Sequence, residues 1–223
     1  MTVYLVIKMS LSLSHNIAVF WIFKVLGFYA NYINKEDEAL NARFTYFAQH
    51  LIAHIKEAEK NDIDEILLIA HSAGNIVFIN LVSDILNAFA LNDKVLSRIS
   101  IMTLGQCIPM VSLQEGAEGY RQKLEDISAY HLRWLDYTSA IDPLVFYLYD
   151  FFERGEEKAK IHFLSPRFHT LYESKRYAQI KRGMYLAHFL YLMSNDKIGK
   201  YNYFRMTAGE KCLNEWLDGE KKV

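Results

Sequence analysis

The 223-residue sequence has little cysteine, little proline and almost no net charge, and each shortage excludes a class of protein. Two cysteines, Cys107 and Cys212, cannot build a framework of several disulfides, and they do not form a pair with metal-ligand spacing. A reducing compartment and no metal site are the expectation. Lys and Arg number 25 against 26 Asp and Glu and are scattered among them, so the formal charge is −1 and no electropositive face is offered to nucleic acid. Three prolines, no low-complexity stretch and no internal repeat leave no linker at which to divide the chain. There is also no G-x-G-x-x-G or Walker pattern, which leaves nucleotide binding at the Gly105 turn without a motif.

Apolar residues, by contrast, make up 52% of the chain, with 15 Tyr and 14 Phe, enough for a sizeable core. The longest apolar stretch lies between residues 10 and 33, interrupted at Lys24. Residues 1–34 are therefore read as an apolar N-terminal segment: a strand at Val3-Tyr-Leu-Val-Ile, then a helix that is either buried or laid on a membrane. No basic leader or small-residue cleavage site marks a secretory signal. A cytoplasmic location is expected, with association to a membrane through residues 10–33 as the alternative.

Residues 35–223 read as an α/β domain. Leu40, Phe44, Phe47, Leu51 and Ile55 recur at helical spacing, predicting a long amphipathic helix over 35–60. Ile66-Leu-Leu-Ile-Ala is wholly apolar, as a parallel strand covered on both faces is. A helix over 75–90, a strand over 99–104, a helix over 119–128 and a strand over 132–136 repeat the alternation; 153–160 reads as a solvated loop and 161–164 as a further strand. The expected architecture is a three-layer, mainly parallel sheet. Ligands of such sheets bind beyond the carboxyl ends of the strands.

The chemistry concentrates at those ends. Ala70-His71-Ser72-Ala73-Gly74 lies between an apolar strand and a helix, the context of a nucleophile elbow, where small residues are needed two positions either side of the serine. Ala70 stands where the first glycine is usual. The Ala73 amide, opening the helix, is the natural oxyanion donor. A serine before a helix is also a common N-cap, so the elbow reading requires a base and an orienting acid at neighbouring strand ends. Two carboxylates follow the strand at 132–136. Asp142, in a loop stiffened by Pro143, is preferred to Asp136, which reads as a strand-end residue. Among the downstream histidines His188, in a His-x-x-Tyr context, is the candidate base, and His169 the runner-up. If Ser174 to Met193 were one helix, His188 would share a stripe with Tyr177, Ile180, Met184 and Tyr191 and be an ordinary core residue. His71 is expected to point away from Ser72.

The order Ser72, Asp142, His188, together with Leu104-Gly-Gln-Cys-Ile-Pro109, Trp134-Leu-Asp-Tyr-Thr-Ser-Ala-Ile-Asp142, Ser165-Pro-Arg-Phe-His169, His188-Phe-Leu-Tyr-Leu192, Tyr201-Asn-Tyr-Phe204 and Thr207-Ala-Gly209, resembles an uncharacterised family of bacterial α/β-hydrolase-like proteins. The resemblance implies an α/β-hydrolase fold and a Ser-Asp-His triad, in proteins that typically carry N-terminal membrane helices. The complete fold places further strands, and the loop giving a second oxyanion amide, before the elbow. Here only about 65 residues precede it, so the expectation is a sheet reduced at its N-terminal side or a fragment. The leading functional expectation is a serine hydrolase acting on a small-molecule or lipid-like acyl substrate, without a cofactor. The alternative is a non-catalytic domain of the same fold serving as a membrane-associated interaction module.

Overall fold

Four apolar segments become the strands of one sheet: β1 (Ile66–His71), β2 (Ile99–Leu104), β3 (Arg133–Tyr137) and β4 (Ile161–Leu164). They lie in the order β1-β2-β3-β4, every pair parallel. The computed structural model describes residues 3–6, 8, 9, 12, 19–34, 38–61, 63–90, 92–152 and 161–218. The segment 153–160, expected as a loop, lies outside the described residues. The α/β class and the parallel sheet are as the sequence predicts.

Register decides where the chemistry sits. His71 pairs with Leu104, Leu104 with Tyr137 and Tyr137 with Leu164, so the four carboxyl ends are level. The ladder runs one residue further in the loops, through Ser72 N–H to the Leu104 carbonyl (3.0 Å), Gly105 N–H to Tyr137 (2.8 Å) and Thr138 N–H to Leu164 (3.0 Å). Three loops consequently leave the sheet at one height.

Alternation within the strands feeds two cores. Leu68, Ala70, Ile99, Ile101 and Trp134 face one cluster, and Met102, Leu104, Leu135 and Tyr137 the other. The first is covered by α1 (Val19–Asn34), α2 (Glu38–Glu59), α3 (Gly74–Phe89), α4 (Asp93–Leu96), α5 (Pro109–Ser112) and α6 (Glu118–Ser128). The second is covered by α7 (Phe168–Leu171), α8 (Ser174–Ile180), the 3₁₀ turn Leu190–Leu192, α10 (Tyr203–Ala208) and α11 (Leu213–Asp218), while α9 (Met184–Phe189) leads into the 3₁₀ turn. Helix, sheet and helix make three layers. Every residue of β2 is buried, and each of its large apolar side chains contributes roughly 1.5–3 kcal/mol by leaving water.

Two expectations are corrected here. Residues 3–6 are helical and exposed rather than a strand. A strand must find a partner for its backbone groups, whereas helical backbone bonds within itself. In α2 the inward stripe is Ala48, Leu51, Ile52 and Ile55, which leaves Phe47 54% exposed. An apolar pattern alone could not tell these two overlapping stripes apart. Helix α1 joins the core through the buried Tyr29 and the partly buried Val25 and Phe28, while Phe20 and Phe23 face outward. No helix among the described residues is long and apolar enough to cross a membrane.

Asp136 is an ionisable residue inside the sheet. It is wholly buried on β3, accepting from the Thr103 hydroxyl (2.5 Å), which in turn accepts from the Trp134 indole N–H (2.9 Å). Burial pushes its carboxyl up to about 7, against the smaller opposing effect of the Thr103 bond. Between pH 4 and 7 the unfolded chain loses this proton while the folded one keeps it, so stability falls as pH rises and the full cost is present above pH 7. Asp136→Asn keeps the acceptor for Thr103 and removes the charge. Its unfolding free energy should exceed the wild-type value at pH 8 by a few kcal/mol, roughly as such a shift implies, and the gain should vanish near pH 4; chemical denaturation at both pH values checks this.

Candidate active site

Ser72 follows β1 with a φ of 57°, the left-handed region that a non-glycine residue occupies only under constraint. The constraint is visible. Its N–H is held by the Leu104 carbonyl, and its own carbonyl receives both the Asn75 N–H (3.0 Å) and the Asn75 side-chain amide (2.9 Å). That amide also reaches the Leu104 carbonyl at 3.2 Å, so the buried Asn75 ties the turn to β2. No side chain caps α3. The Ser72 hydroxyl is engaged elsewhere, which removes the N-cap reading.

The flanking residues divide. Ala70 is 8% exposed and packs in the core, as a small residue there should. A Cβ placed on Gly74, however, would meet nothing within 4 Å. The expected crowding at this position is absent, because the space beside the first turn of α3 is open. The glycine the site does need is Gly105. Its φ is +52°, and a Cβ there would come within 2.9 Å of the Tyr191 ring.

The Ser72 hydroxyl lies 2.6 Å from His188 Nε2, and His188 Nδ1 lies 2.8 Å from Asp142 Oδ2. Both partners are almost fully buried. With Nδ1–H donating to the carboxylate, Nε2 is left as the acceptor for the serine O–H. Asp142 is fixed in turn, since its Oδ1 accepts from the Leu144 N–H (3.1 Å) and its N–H donates to the Ser139 carbonyl (3.0 Å). The Tyr191 hydroxyl accepts from the N–H of Ser139 (2.9 Å), the residue whose carbonyl takes the Asp142 N–H. The His-x-x-Tyr spacing thereby acquires a physical meaning: one short segment carries both the histidine that meets Asp142 and the tyrosine that holds the loop of Asp142. The chain can do so because α8 stops at Ile180 and α9 starts after an extended Gly183, so the single-helix stripe does not exist.

The other candidates lie apart. Asp136 is locked to Thr103 inside the sheet. His169 is exposed on α7, its ring set against Tyr177. The structure does not bring either to Ser72.

Four neighbours escape a reading by motif. Cys107, in the loop after β2, is buried with its thiol donating to the Leu144 carbonyl (3.3 Å), and it lines the same cleft as Ser72 and Tyr29. Burial pushes that thiol up to about 11. Trp21 of α1 lies over His188 with ring centroids 5.4 Å apart. His71, expected to face away, instead bonds the His188 carbonyl through Nε2 (3.1 Å), with its ring 5.1 Å from that of His188. Strand alternation does turn its side chain from Ser72, but α9 closes over that side. Buried Asn75 gives no sign in the sequence beyond a polar residue in the first turn of an apolar helix. Among the described residues no group of three or more His, Cys, Asp or Glu could hold a metal.

Burial lowers the His71 pKa to about 4, outweighing the bond to the His188 carbonyl, which raises it. The ring is neutral at pH 7 and donates Nε2–H. Above pH 6.5 it is neutral in both the folded and unfolded chain; below that, the unfolded chain takes up a proton the folded one refuses, and stability is lost as pH falls towards 4. The loss is on the order of 1–2 kcal/mol once solvent screening of a half-buried ring is allowed for. His71→Gln keeps a donor and cannot titrate. Its unfolding free energy should fall less than that of the wild type between pH 7 and 4.5, and subtracting the two cancels the opposing titration of Asp136.

No protein-family model, curated protein or solved structure matches the chain.

Proposed function

We propose that the protein is a serine hydrolase of the α/β-hydrolase kind, cleaving an ester or related acyl bond. The observation that carries this reading is the unbroken relay from Ser72 Oγ through His188 to Asp142, at 2.6 and 2.8 Å. Level strand ends support it, with the nucleophile after β1, the acid after β3 and the base after β4. An N-cap serine or a core histidine needs no such alignment.

In the first half-reaction Ser72 Oγ attacks the acyl carbon while His188 Nε2 takes its proton. Asp142 holds Nδ1–H and balances the imidazolium. When the tetrahedral intermediate collapses, the bond to the leaving group breaks and His188 returns the proton to that group. Water then enters, gives a proton to His188 and adds to the acyl-enzyme, and expulsion of Ser72 Oγ reprotonates the serine. The carbonyl oxygen, negative in each intermediate, is assigned to the Ala73 amide at the start of α3, where the helix dipole is positive.

A fluorophosphonate probe should label the wild type, and Ser72→Ala should abolish labelling. A folded wild type that stays unlabelled would sink the reading and favour the non-catalytic interaction module. His188→Ala should lower ester hydrolysis by at least about a thousandfold, as triad removal does, whereas His169→Ala should leave it near wild type; the opposite ranking overturns the assignment of the base. Tyr191→Phe removes one hydroxyl from the Asp142 loop. It should lower kcat about fivefold, at roughly 1 kcal/mol for a buried hydrogen bond to the Ser139 amide, with KM nearly unmoved in steady-state assays.

A further inference from the structure

A half-open cleft of about 220 Å³ lies beside Ser72 and His188. One wall is α1, which contributes Trp21, Val25 and Tyr29 at four-residue intervals and therefore along one stripe. The facing wall is Leu144, Val145 and Phe146, directly after the Asp142 loop, and Met110 also lines it. No Lys, Arg, Asp or Glu lines the cleft. Its ionisable members besides His188 are Cys107 and Tyr29, and burial raises both, so they stay neutral at pH 7.

Two physical limits follow. A charged group entering such walls would be desolvated without a partner, which costs far more than an apolar group gains. Size is bounded too. An apolar cavity of roughly 150 Å³ admits benzene, so one of about 220 Å³ with an open side holds about six to nine non-hydrogen atoms.

Resting on the nucleophile reading above, we infer that this cleft binds an uncharged, apolar group of about four to eight carbons flanking the scissile bond, with Val25 of α1 setting its length. The walls recognise hydrocarbon, which can belong to the acyl or to the alcohol side of the ester. Two series of esters separate these sources. In one the acyl chain grows from acetate through butyrate, hexanoate and octanoate to laurate on a constant p-nitrophenyl leaving group. In the other the alcohol grows over the same lengths on a constant acetyl group.

In one of the two series kcat/KM should rise at least tenfold between two and six carbons, a buried methylene being worth roughly fourfold, and should fall again by twelve. Hexanoate is also expected to exceed the half-ester of a six-carbon diacid by more than a hundredfold. Val25→Phe narrows the cleft and should cut the six-carbon to two-carbon ratio at least fivefold, while fluorophosphonate labelling and the unfolding midpoint show that the site and the fold persist. Rates that ignore chain length in both series, that keep rising to twelve carbons, or that ignore Val25→Phe overturn the inference.

A binding measurement keeps this separate from the nucleophile. Ser72→Ala is titrated with acetamide, butyramide and hexanamide, and with hexanoate, while tryptophan fluorescence is followed, because Trp21 lines the cleft. Saturable quenching that tightens with amide length, is at least tenfold weaker for hexanoate and weakens in Ser72→Ala/Val25→Phe supports the cleft even where the wild type hydrolyses nothing. No saturable change with any amide refutes the cleft even where Ser72 is labelled.

Discussion

The whole site hangs on one backbone residue in the left-handed region. A serine held at φ 57° costs on the order of 1–3 kcal/mol relative to an extended or helical one, and it persists only because its surroundings over-determine it. Three bonds do this: Ser72 N–H to Leu104, and two from Asn75 to the Ser72 carbonyl. Leu104 is the last residue of β2, the strand buried along its full length. The strain is therefore anchored on that buried strand. Relaxing φ would turn the serine hydroxyl away from His188 Nε2 and unpair buried carbonyls at once, so the turn and the relay stand or fall together.

From that fixed point the remaining geometry follows by contact. Gly105, next along β2, has no side chain, and the Tyr191 ring occupies the space a Cβ would take. The Tyr191 hydroxyl then holds the Ser139 amide, and the Ser139 carbonyl holds the Asp142 N–H, in the loop that carries the acid to a histidine three residues before the tyrosine. A buried carboxylate left alone would carry a heavy desolvation penalty. Here both Asp142 oxygens have donors, so the cost is offset by bonds that also fix its direction.

How much of this can be read in the sequence depends on the range of the interaction. The strands are legible because Ile66–Ala70 is apolar without interruption and Ile99–Leu104 is broken only by Ser100 and Thr103, as suits a sheet covered on both faces. Ser72 is legible because its context, strand before and helix behind, is local. Asp142 is legible as a loop residue beyond a strand end, whereas His188, which lies on α9, is legible only through its short His-x-x-Tyr context. What stays hidden is contact across the sheet. His71 and His188 are 117 residues apart, and no pattern at either position announces their bond. The inward stripe of α2 depends on what α2 packs against rather than on its own period. Gly74 misleads for a related reason, since a motif carries the habit of a turn and not the free volume beside it.

The surroundings of the relay share one electrostatic property, which bears on the proposed chemistry. Attack by Ser72 turns neutral His188 into an imidazolium with an oxyanion nearby. In a site of low dielectric that pair is sensitive to every other charge within a few ångströms. Burial keeps His71 neutral down to about pH 4, although its ring lies 5.1 Å from that of His188, and keeps the Cys107 thiol protonated to about 11. The Tyr29 phenol is held neutral in the same way. A protonated His71 would repel the imidazolium, and a Cys107 thiolate would repel the oxyanion. With both kept neutral, the group that meets the base directly is the Asp142 carboxyl, and its attraction falls on the state that forms during attack. On the proposed chemistry the uncharged wall of α1, built from Trp21, Ile22, Val25, Leu26 and Tyr29, adds no charge that would compete with that attraction.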